Sequence, residues 1–198
     1  MKPARARRAA PNRKEISHER NVGAAARANR RTGYDGTGVA EIMKEAGLTH
    51  GGFYAHFPSR DAMLAEAADR AGAESVAAMS RVAAAAPPRE ALRSMIRAYL
   101  SQEHVESAEL GCPVAALGSE MPRQPSRVRR AATRRIKEMV DIVARHAPHP
   151  GRPGAYERAL VTVATMVGTL VLARAVDDPK LSEALRTASA KHLDRSVG

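Results

Sequence analysis

Apolar positions recur at helical spacing along most of the chain, and the pattern is clearest over residues 38–57. The first half of this stretch carries four apolar residues at the i, i+3, i+4, i+7 spacing of one helix face: Val39, Ile42, Met43 and Ala46. Gly47 follows them, where a glycine closes a helix by taking a left-handed conformation. Phe53 and Phe57, four residues apart, predict the buried face of a second helix. The stretch therefore predicts two short helices joined by a glycine turn.

The second of these helices, over about residues 50–57, presents a polar face. The residues that we expect to face outward are Thr49, His50, Gly51, Tyr54 and His56. Gly51 and Gly52 each cost about 1 kcal/mol in helix propensity relative to alanine. A helix that tolerates this cost needs close approach of its backbone to another molecule, and DNA is one candidate.

The periodicity predicts seven further helices, which makes about nine in all. They are expected over Ser17–Arg31, Arg60–Ala84 and Arg89–Val105, once within 107–125, from Ser126, over Ala155–Val176, and from Pro179. The helix at Arg60–Ala84 is long enough to act as a rigid connector, and we expect a domain boundary near residue 75. The helix at Ala155–Val176 is apolar around most of its girth, so it must be buried on several sides, and a second subunit can supply one of them.

Composition favours an all-α fold. The 198 residues are 44% hydrophobic but only 3% aromatic, so the core must be built by close helix packing on small side chains. The formal net charge is +11, which indicates a polyanionic partner, either a nucleic acid or an acidic membrane surface. Residues 1–31 hold ten Lys or Arg against two Glu, so the excess charge lies beside the helical pair.

Candidate reactive groups are few. A single cysteine, Cys112, excludes an intramolecular disulfide framework and fits a reducing cytoplasm. No signal-peptide pattern is present, and the longest uncharged apolar run, Ala159–Ala173, falls short of the about 20 residues that a membrane span needs. The seven histidines form no metal-ligand spacing and no Cys–His arrangement, and no phosphate-binding glycine loop occurs. The sequence predicts a protein that is not an enzyme and has no metal or cofactor.

One segment carries a family resemblance. GVAEIMKEAGLTHGGFYAHFPSRDAML resembles the helix-turn-helix of the TetR family of bacterial transcriptional regulators, and the match extends over about Thr32 to Leu64. Residues 1–12 are basic and too polar to bury, and are expected to form a disordered arm. The resemblance implies a helix-turn-helix domain over 13–74 with its motif at 38–57, and a ligand-binding and dimerisation domain over 75–198. Asn21 and Asn29 depart from the family pattern, which has apolar residues near these positions of the first helix.

The resemblance implies a homodimeric regulator that binds a pseudo-palindromic operator in double-stranded DNA, most simply a repressor released by a small-molecule effector. The second helix would enter the major groove. The expected DNA-binding residues are Thr37, Gly38, Thr49, His50, Gly51, Gly52, Tyr54, His56 and Arg60. His50 and Tyr54 are expected at base edges or phosphates, while Thr37, Thr49 and Arg60 are expected at phosphates.

The body of the protein is expected to hold the effector and the dimer interface. Candidate pocket residues are Met79, Met95, Tyr99, Cys112, Leu117, Met139 and Met166. Candidate interface residues are Leu160, Val163, Val167, Leu170, Val171, Leu181 and Leu185.

Two alternatives remain open from the sequence. Cys112 is either a small buried side chain or a thiol that senses oxidants and electrophiles. The basic charge also fits a protein that binds nucleic acid or a membrane surface without sequence preference, and a steep salt dependence would be its mark.

Overall fold

The computed structural model describes residues 12–36, 38–47 and 52–196. The described residues form ten α-helices and one 3-10 turn, with no strand. The helices are α1 (Arg13–Thr32), α2 (Val39–Glu45), α3 (Phe53–His56), α4 (Arg60–Ala85), α5 (Ala91–Tyr99), α6 (Gln102–Glu106), α7 (Pro113–Leu117), α8 (Ser126–His146), α9 (Ala155–Ala175) and α10 (Pro179–Ser196). The 3-10 turn is Met121–Arg123. The all-α prediction is confirmed.

Helix α1 begins four residues earlier than predicted because a capping box starts it. The Asn12 side chain accepts a hydrogen bond from the backbone N–H of Glu15 at 3.0 Å. The Glu15 carboxylate accepts one in return from the backbone N–H of Asn12 at 2.8 Å. Each bond satisfies a donor that a helix start otherwise leaves free.

The predicted break between α2 and α3 has the expected geometry. Gly47 has φ +73, a left-handed conformation that strains any residue with a Cβ. Helix α3 is a single turn that starts at Phe53, shorter than the predicted helix over about 50–57. Residues 48–51 lie outside the described residues, so the predicted helix is described only from residue 52 onward.

The predicted helix over Arg89–Val105 is wrong as a single helix. It is interrupted at Leu100, and Ser101 starts α6 by accepting a hydrogen bond from the backbone N–H of His104 at 3.2 Å. A serine at this position favours a helix start over continuation, since its hydroxyl competes for backbone donors. This extra break brings the helix count to ten among the described residues.

Two hydrophobic cores lie along α4. The head core contains residues of α1–α4, and Leu117, Val128 and Ala131 from the later helices also pack into it. The body core is built by the second half of α4 together with residues of α5, α8, α9 and α10. The predicted boundary near residue 75 therefore lies inside one continuous helix that belongs to both cores.

Helix α9 is long and apolar enough to satisfy the length and composition of a membrane span, with a mean hydropathy of 1.4 in its most apolar 18 residues. Eight of its side chains are buried, including two threonines. The Thr169 hydroxyl donates to the Ser189 hydroxyl of α10 at 2.8 Å. Helix α9 packs against α8 and α10 in the body core, as the core helix of a globular protein does.

Candidate nucleic-acid interface and effector pocket

Helix α3 presents Tyr54 to solvent because two phenylalanines anchor its opposite face. Phe53 and Phe57 are 2% and 0% exposed, and their ring centroids lie 5.6 Å apart. The Tyr54 side chain packs edge-on against Phe53 with ring centroids 5.1 Å apart, yet Tyr54 is 73% exposed. The buried anchors fix the helix, and the phenol remains available to a partner.

His56 does not face outward as the sequence suggested. It is half-buried against α1, where its Nε2 lies 3.3 Å from the Ser17 hydroxyl. Burial, with smaller contributions from His18 and Lys14, lowers the pKa of His56. The helical spacing that turns Tyr54 outward turns His56 toward α1, so His56 contacts the head instead of facing fully outward.

Four of the predicted DNA contacts lie outside the described residues: Thr37, Thr49, His50 and Gly51. Gly38 is exposed at the N-cap of α2, and no other group lies within 4 Å of the position that a Cβ would take there. Gly52 is half-buried and precedes the first residue of α3. Both described glycines therefore lie at helix starts.

Arg60 holds the loop between α1 and α2. Its guanidinium donates to the Tyr34 carbonyl and lies 3.9 Å from the Asp35 carboxylate. The backbone N–H of Tyr34 donates to the Glu120 carboxylate at 2.8 Å, from the body. Burial, and secondarily Glu120, raises the pKa of the Tyr34 phenol to about 12, so its hydroxyl stays protonated. The backbone of Tyr34 therefore connects the head to the body.

The glycine turn is supported from α1. Arg20 donates to the Ala46 carbonyl at 3.2 Å, next to Gly47, where it satisfies an acceptor at the end of α2. Glu45, an acidic residue of α2, pairs with Arg31 at 3.0 Å and with Arg27 at 3.6 Å. These pairs offset the negative charge of Glu45, which would otherwise oppose an approaching phosphate.

Four of the predicted effector residues line one pocket in the body: Met79, Met95, Tyr99 and Cys112. Its volume is about 150 Å³, and it lies between α4, α5 and the segment that precedes α7. Sequence reasoning missed His104, Leu110 and Gly111, which also line it. No local signal marks these three, because α6 and the segment before α7 reach the pocket only through the tertiary fold.

His104 organises one wall of this pocket. Its Nδ1 lies 2.7 Å from the Tyr99 carbonyl, and its Nε2 lies 3.0 Å from the backbone nitrogen of Cys112. A carbonyl only accepts and a backbone N–H only donates, so Nδ1 carries the proton and Nε2 does not. Burial lowers the pKa of His104, and nearby Arg174 lowers it further, although the bond to Tyr99 acts in the opposite direction. The ring is neutral because Nδ1 donates to a carbonyl while Nε2 accepts from a backbone N–H.

The other three predicted pocket residues lie elsewhere. Met139 lines a crevice of about 20 Å³ beside Cys112, with room for about one water molecule. Leu117 packs in the head core, and Met166 is fully buried in the body core. Leu117 and Met166 line neither cavity, because each fills space between helices.

Helix α9 divides its apolar side chains between the core and the surface. Val163 and Leu170 were predicted at a dimer interface, but they are 6% and 0% exposed in the core of a single chain. Val167 and Leu185 are half-buried. The remaining three predicted residues, Leu160, Val171 and Leu181, are 46%, 41% and 45% exposed. Val161 and Leu172, which the prediction omitted, are 61% and 53% exposed.

Arg30 connects the head to the pocket. Only 3% of this residue is exposed, and its guanidinium donates to the Gly111 carbonyl at 3.3 Å and to the Glu74 carboxylate at 3.0 Å. Burial raises the pKa of Glu74, but hydrogen bonds from Arg70 and Arg30 outweigh that effect and lower it. Arg30 therefore ties α1 to α4 and to the wall of the pocket.

Comparison with known proteins decides the family. The family profile described as "Bacterial regulatory proteins, tetR family" matches residues 22–67. The profile "Transcriptional regulator LmrA/YxaF-like, C-terminal domain" matches residues 88–191, more than half of the chain. The chain belongs to the TetR family of transcriptional regulators. The family assignment from the helix-turn-helix segment is confirmed.

Two relatives of this TetR-family chain are similar over most of their length. An uncharacterized HTH-type transcriptional regulator of Mycobacterium tuberculosis is 32% identical over 164 residues, which cover 79% of this chain and 83% of the relative. The HTH-type transcriptional regulator LmrA of Bacillus subtilis is 27% identical over 162 residues, with 79% and 85% covered.

Solved TetR-family structures share the fold. The reduced form of NemR from E. coli superposes with a TM-score of 0.76 at 17% identity, and covers 91% of this chain and 96% of that one. A TetR-family regulator from Cytophaga hutchinsonii superposes with a TM-score of 0.80 at 15% identity, with 94% and 97% covered. At these identities the likeness concerns the fold alone.

Proposed function

We propose that this TetR-family regulator is a homodimeric repressor, which binds a pseudo-palindromic operator through α3 and leaves it when a small molecule occupies the body pocket. The observation that carries the DNA-binding part is Tyr54, which is 73% exposed on a helix anchored by Phe53 and Phe57. An exposed phenol on an immobilised helix can contact a base edge or a phosphate at a small entropic cost, since little conformational freedom is lost on binding.

The remaining contacts follow the family motif. Helix α3 enters the major groove; Thr49 and His50 precede it in sequence, and Thr37 precedes α2. Arg60 acts indirectly, since its guanidinium holds the Tyr34 carbonyl and so positions the loop before α2. Two-fold symmetry requires half-sites one helical turn apart, about 34–36 Å, or a small multiple of that distance.

The exposed face of α9 supports a dimer. Its exposed apolar side chains recur at helical spacing: Leu160, Val161, Ala164, Val171 and Leu172. Gly168 lies on the same face with open space where a Cβ would be, so a second helix can approach closely there. In a two-fold symmetric dimer this patch of one subunit packs against the same patch of the other, so both copies are buried.

Release by an effector has a physical route in Arg30. An effector shifts the equilibrium only by its differential affinity for the DNA-free conformation. A molecule bound in the pocket contacts and displaces Gly111, whose carbonyl accepts a hydrogen bond from Arg30. Arg30 belongs to α1, so displacement of Gly111 reorients the head, and α4 carries the same displacement through Glu74. The protein would act in the cytoplasm, where its operator lies.

A thiol sensor is a weaker reading of Cys112. Reactive cysteines lie in partly exposed, electropositive surroundings. Cys112 is 1% exposed and packs in the body core. We therefore assign it a packing role and assign release to a bound molecule.

The DNA-binding proposal is tested with Tyr54→Phe in an electrophoretic shift assay on the promoter region nearest to the gene. Tyr54→Phe removes one hydroxyl, and we expect operator affinity to fall about tenfold, since a good contact contributes about 1–3 kcal/mol. The matched control is Tyr156→Phe, which removes an exposed hydroxyl from α9 in the body. Operator affinity should be unchanged in the control.

Two outcomes would contradict the proposal. Equal losses in both variants would mean that the α3 face does not contact DNA. Binding with a steep salt dependence but the same affinity for operator and scrambled DNA would indicate a nonspecific nucleic-acid-binding protein instead.

A further inference from the structure

The body pocket contains one buried polar group that the fold leaves unused. Tyr99 is 4% exposed and lines the pocket, and its hydroxyl has no hydrogen-bond partner among the described residues. A buried hydroxyl without a partner is unfavourable, so native structures rarely keep one that serves no purpose.

The neighbours of this hydroxyl cannot satisfy it. The Cys112 thiol lies within reach of it, but the pair does not have the geometry of a regular hydrogen bond, and sulfur is a weak acceptor. His104 stacks edge-on against the Tyr99 ring with centroids 4.7 Å apart, yet both of its ring nitrogens are already engaged by backbone groups. Burial, and next the Cys112 thiol, raises the pKa of Tyr99. The phenol therefore keeps its proton and is available as a donor.

The rest of the pocket selects against charge. Its apolar lining consists of Ala78, Met79, Val82, Met95, Ala98 and Leu110, and no Lys, Arg, Asp or Glu lines it. Arg174, the cation that acts on the Tyr99 phenol, does not line the pocket: it donates to the carbonyls of Val105 and His104, and its Nη1 is buried without a partner among the described residues. An apolar cavity of about 150 Å³ is the size that holds one benzene-sized molecule.

We propose that the effector is a small uncharged molecule of about one aromatic ring, with a single oxygen that accepts a hydrogen bond from the Tyr99 hydroxyl. Its role as effector rests on the proposed ligand-released repression, whereas its binding does not. The methionines Met79 and Met95 adapt to the ring, since their unbranched side chains fill irregular gaps. Ser75 also lines the pocket but is only half-buried, so the buried Tyr99 hydroxyl is the donor that selects for the oxygen.

The test compares three probes of nearly equal shape: acetophenone, α-methylstyrene and benzoate. The first two differ only in having C=O or C=CH2, and benzoate adds a negative charge. Binding to the full-length protein without DNA is measured by isothermal titration calorimetry. We expect acetophenone to bind at least tenfold more tightly than α-methylstyrene, and benzoate to bind most weakly.

The variant Tyr99→Phe should bind acetophenone and α-methylstyrene equally, because it keeps the ring and loses only the hydroxyl. Tyr156→Phe is the matched control and should keep the tenfold preference. Circular dichroism of Tyr99→Phe should match that of the unaltered protein. Equal affinities in the unaltered protein, a preference that survives in Tyr99→Phe, tightest binding of benzoate, or no saturable binding of acetophenone would each overturn the inference.

Operator release is measured separately by electrophoretic shift with the same acetophenone. If acetophenone binds through Tyr99 and leaves the operator complex intact, the inference about the pocket holds and the proposed release fails. If the protein binds acetophenone and α-methylstyrene equally tightly while its operator binding is normal, the inference fails and the DNA-binding proposal stands.

Discussion

Among single residues, the buried amides of α1 are the clearest departure from an apolar core. Asn21 and Asn29 are 0% and 2% exposed, and neither side-chain amide has a hydrogen-bond partner among the described residues. Unsatisfied buried amides are unfavourable, so the head holds α1 less firmly than apolar residues would.

Asn21→Leu should therefore raise the free energy of unfolding by about 1–3 kcal/mol, because leucine has the same branched shape without the buried amide. Urea denaturation followed by circular dichroism measures the change. Asn21→Ala is the control: it removes the same amide but leaves a void, so its gain should be smaller or absent. A loss of stability in Asn21→Leu would mean that water or a partner satisfies the amide.

A second residue-level prediction concerns His104. Its pKa is lowered in the folded chain, so folding favours the neutral ring. The stabilising contribution is complete above the unfolded pKa of about 6.5 and is lost as pH falls below it toward the folded pKa. Nitrogen-detected NMR should find His104 as the Nδ1–H tautomer at pH 7, with a pKa below that in urea-unfolded protein. A folded pKa above 6.5 would contradict the two backbone hydrogen bonds to this ring.

Among the helices and turns, the α2–α3 turn depends most on one backbone conformation. Gly47 has φ +73, and its substitution by alanine should cost about 1–2 kcal/mol of stability and weaken operator binding. Gly38→Ala is the matched control, since Gly38 lies in the same head with φ −73 and open space at the Cβ position. Thermal unfolding compares the two variants, and the shift assay follows operator binding by Gly47→Ala against the unaltered protein. Equal effects would mean that the turn tolerates a Cβ.

The helix-level predictions from sequence succeeded where the signal was local. Periodicity and the glycine identified α2, the turn and α4, because each depends on residues within a few positions of one another. The break after Tyr99 was missed, since the apolar pattern continues through it and only Ser101 marks the new start. The placement of His56 was missed because the contact partner, Ser17, belongs to another helix.

At the scale of the whole molecule, the exposed face of α9 predicts the oligomeric state. Leu172→Glu should weaken the dimer at least about hundredfold, because symmetry buries two unpaired charges in one interface. Sedimentation equilibrium measures the dissociation constant, and operator affinity should fall with it. Leu110→Glu is the control for the sedimentation measurement only, since Leu110 is 63% exposed and lies outside α9 and α10 but lines the body pocket. A dimer that persists in Leu172→Glu would exclude this face.

The sequence by itself determined the helical class, the helix-turn-helix and the family, because helix periodicity, capping and the glycine turn depend on residues that are close together in the sequence. Only the tertiary structure decided how the head is joined to the body. Arg30 bonds to Gly111, 81 residues away, and Tyr34 bonds to Glu120, 86 residues away. Such pairs leave no local pattern, since each partner is an ordinary polar residue or glycine until the fold brings them together. The same packing decided which apolar side chains of α9 enter the core and which remain exposed.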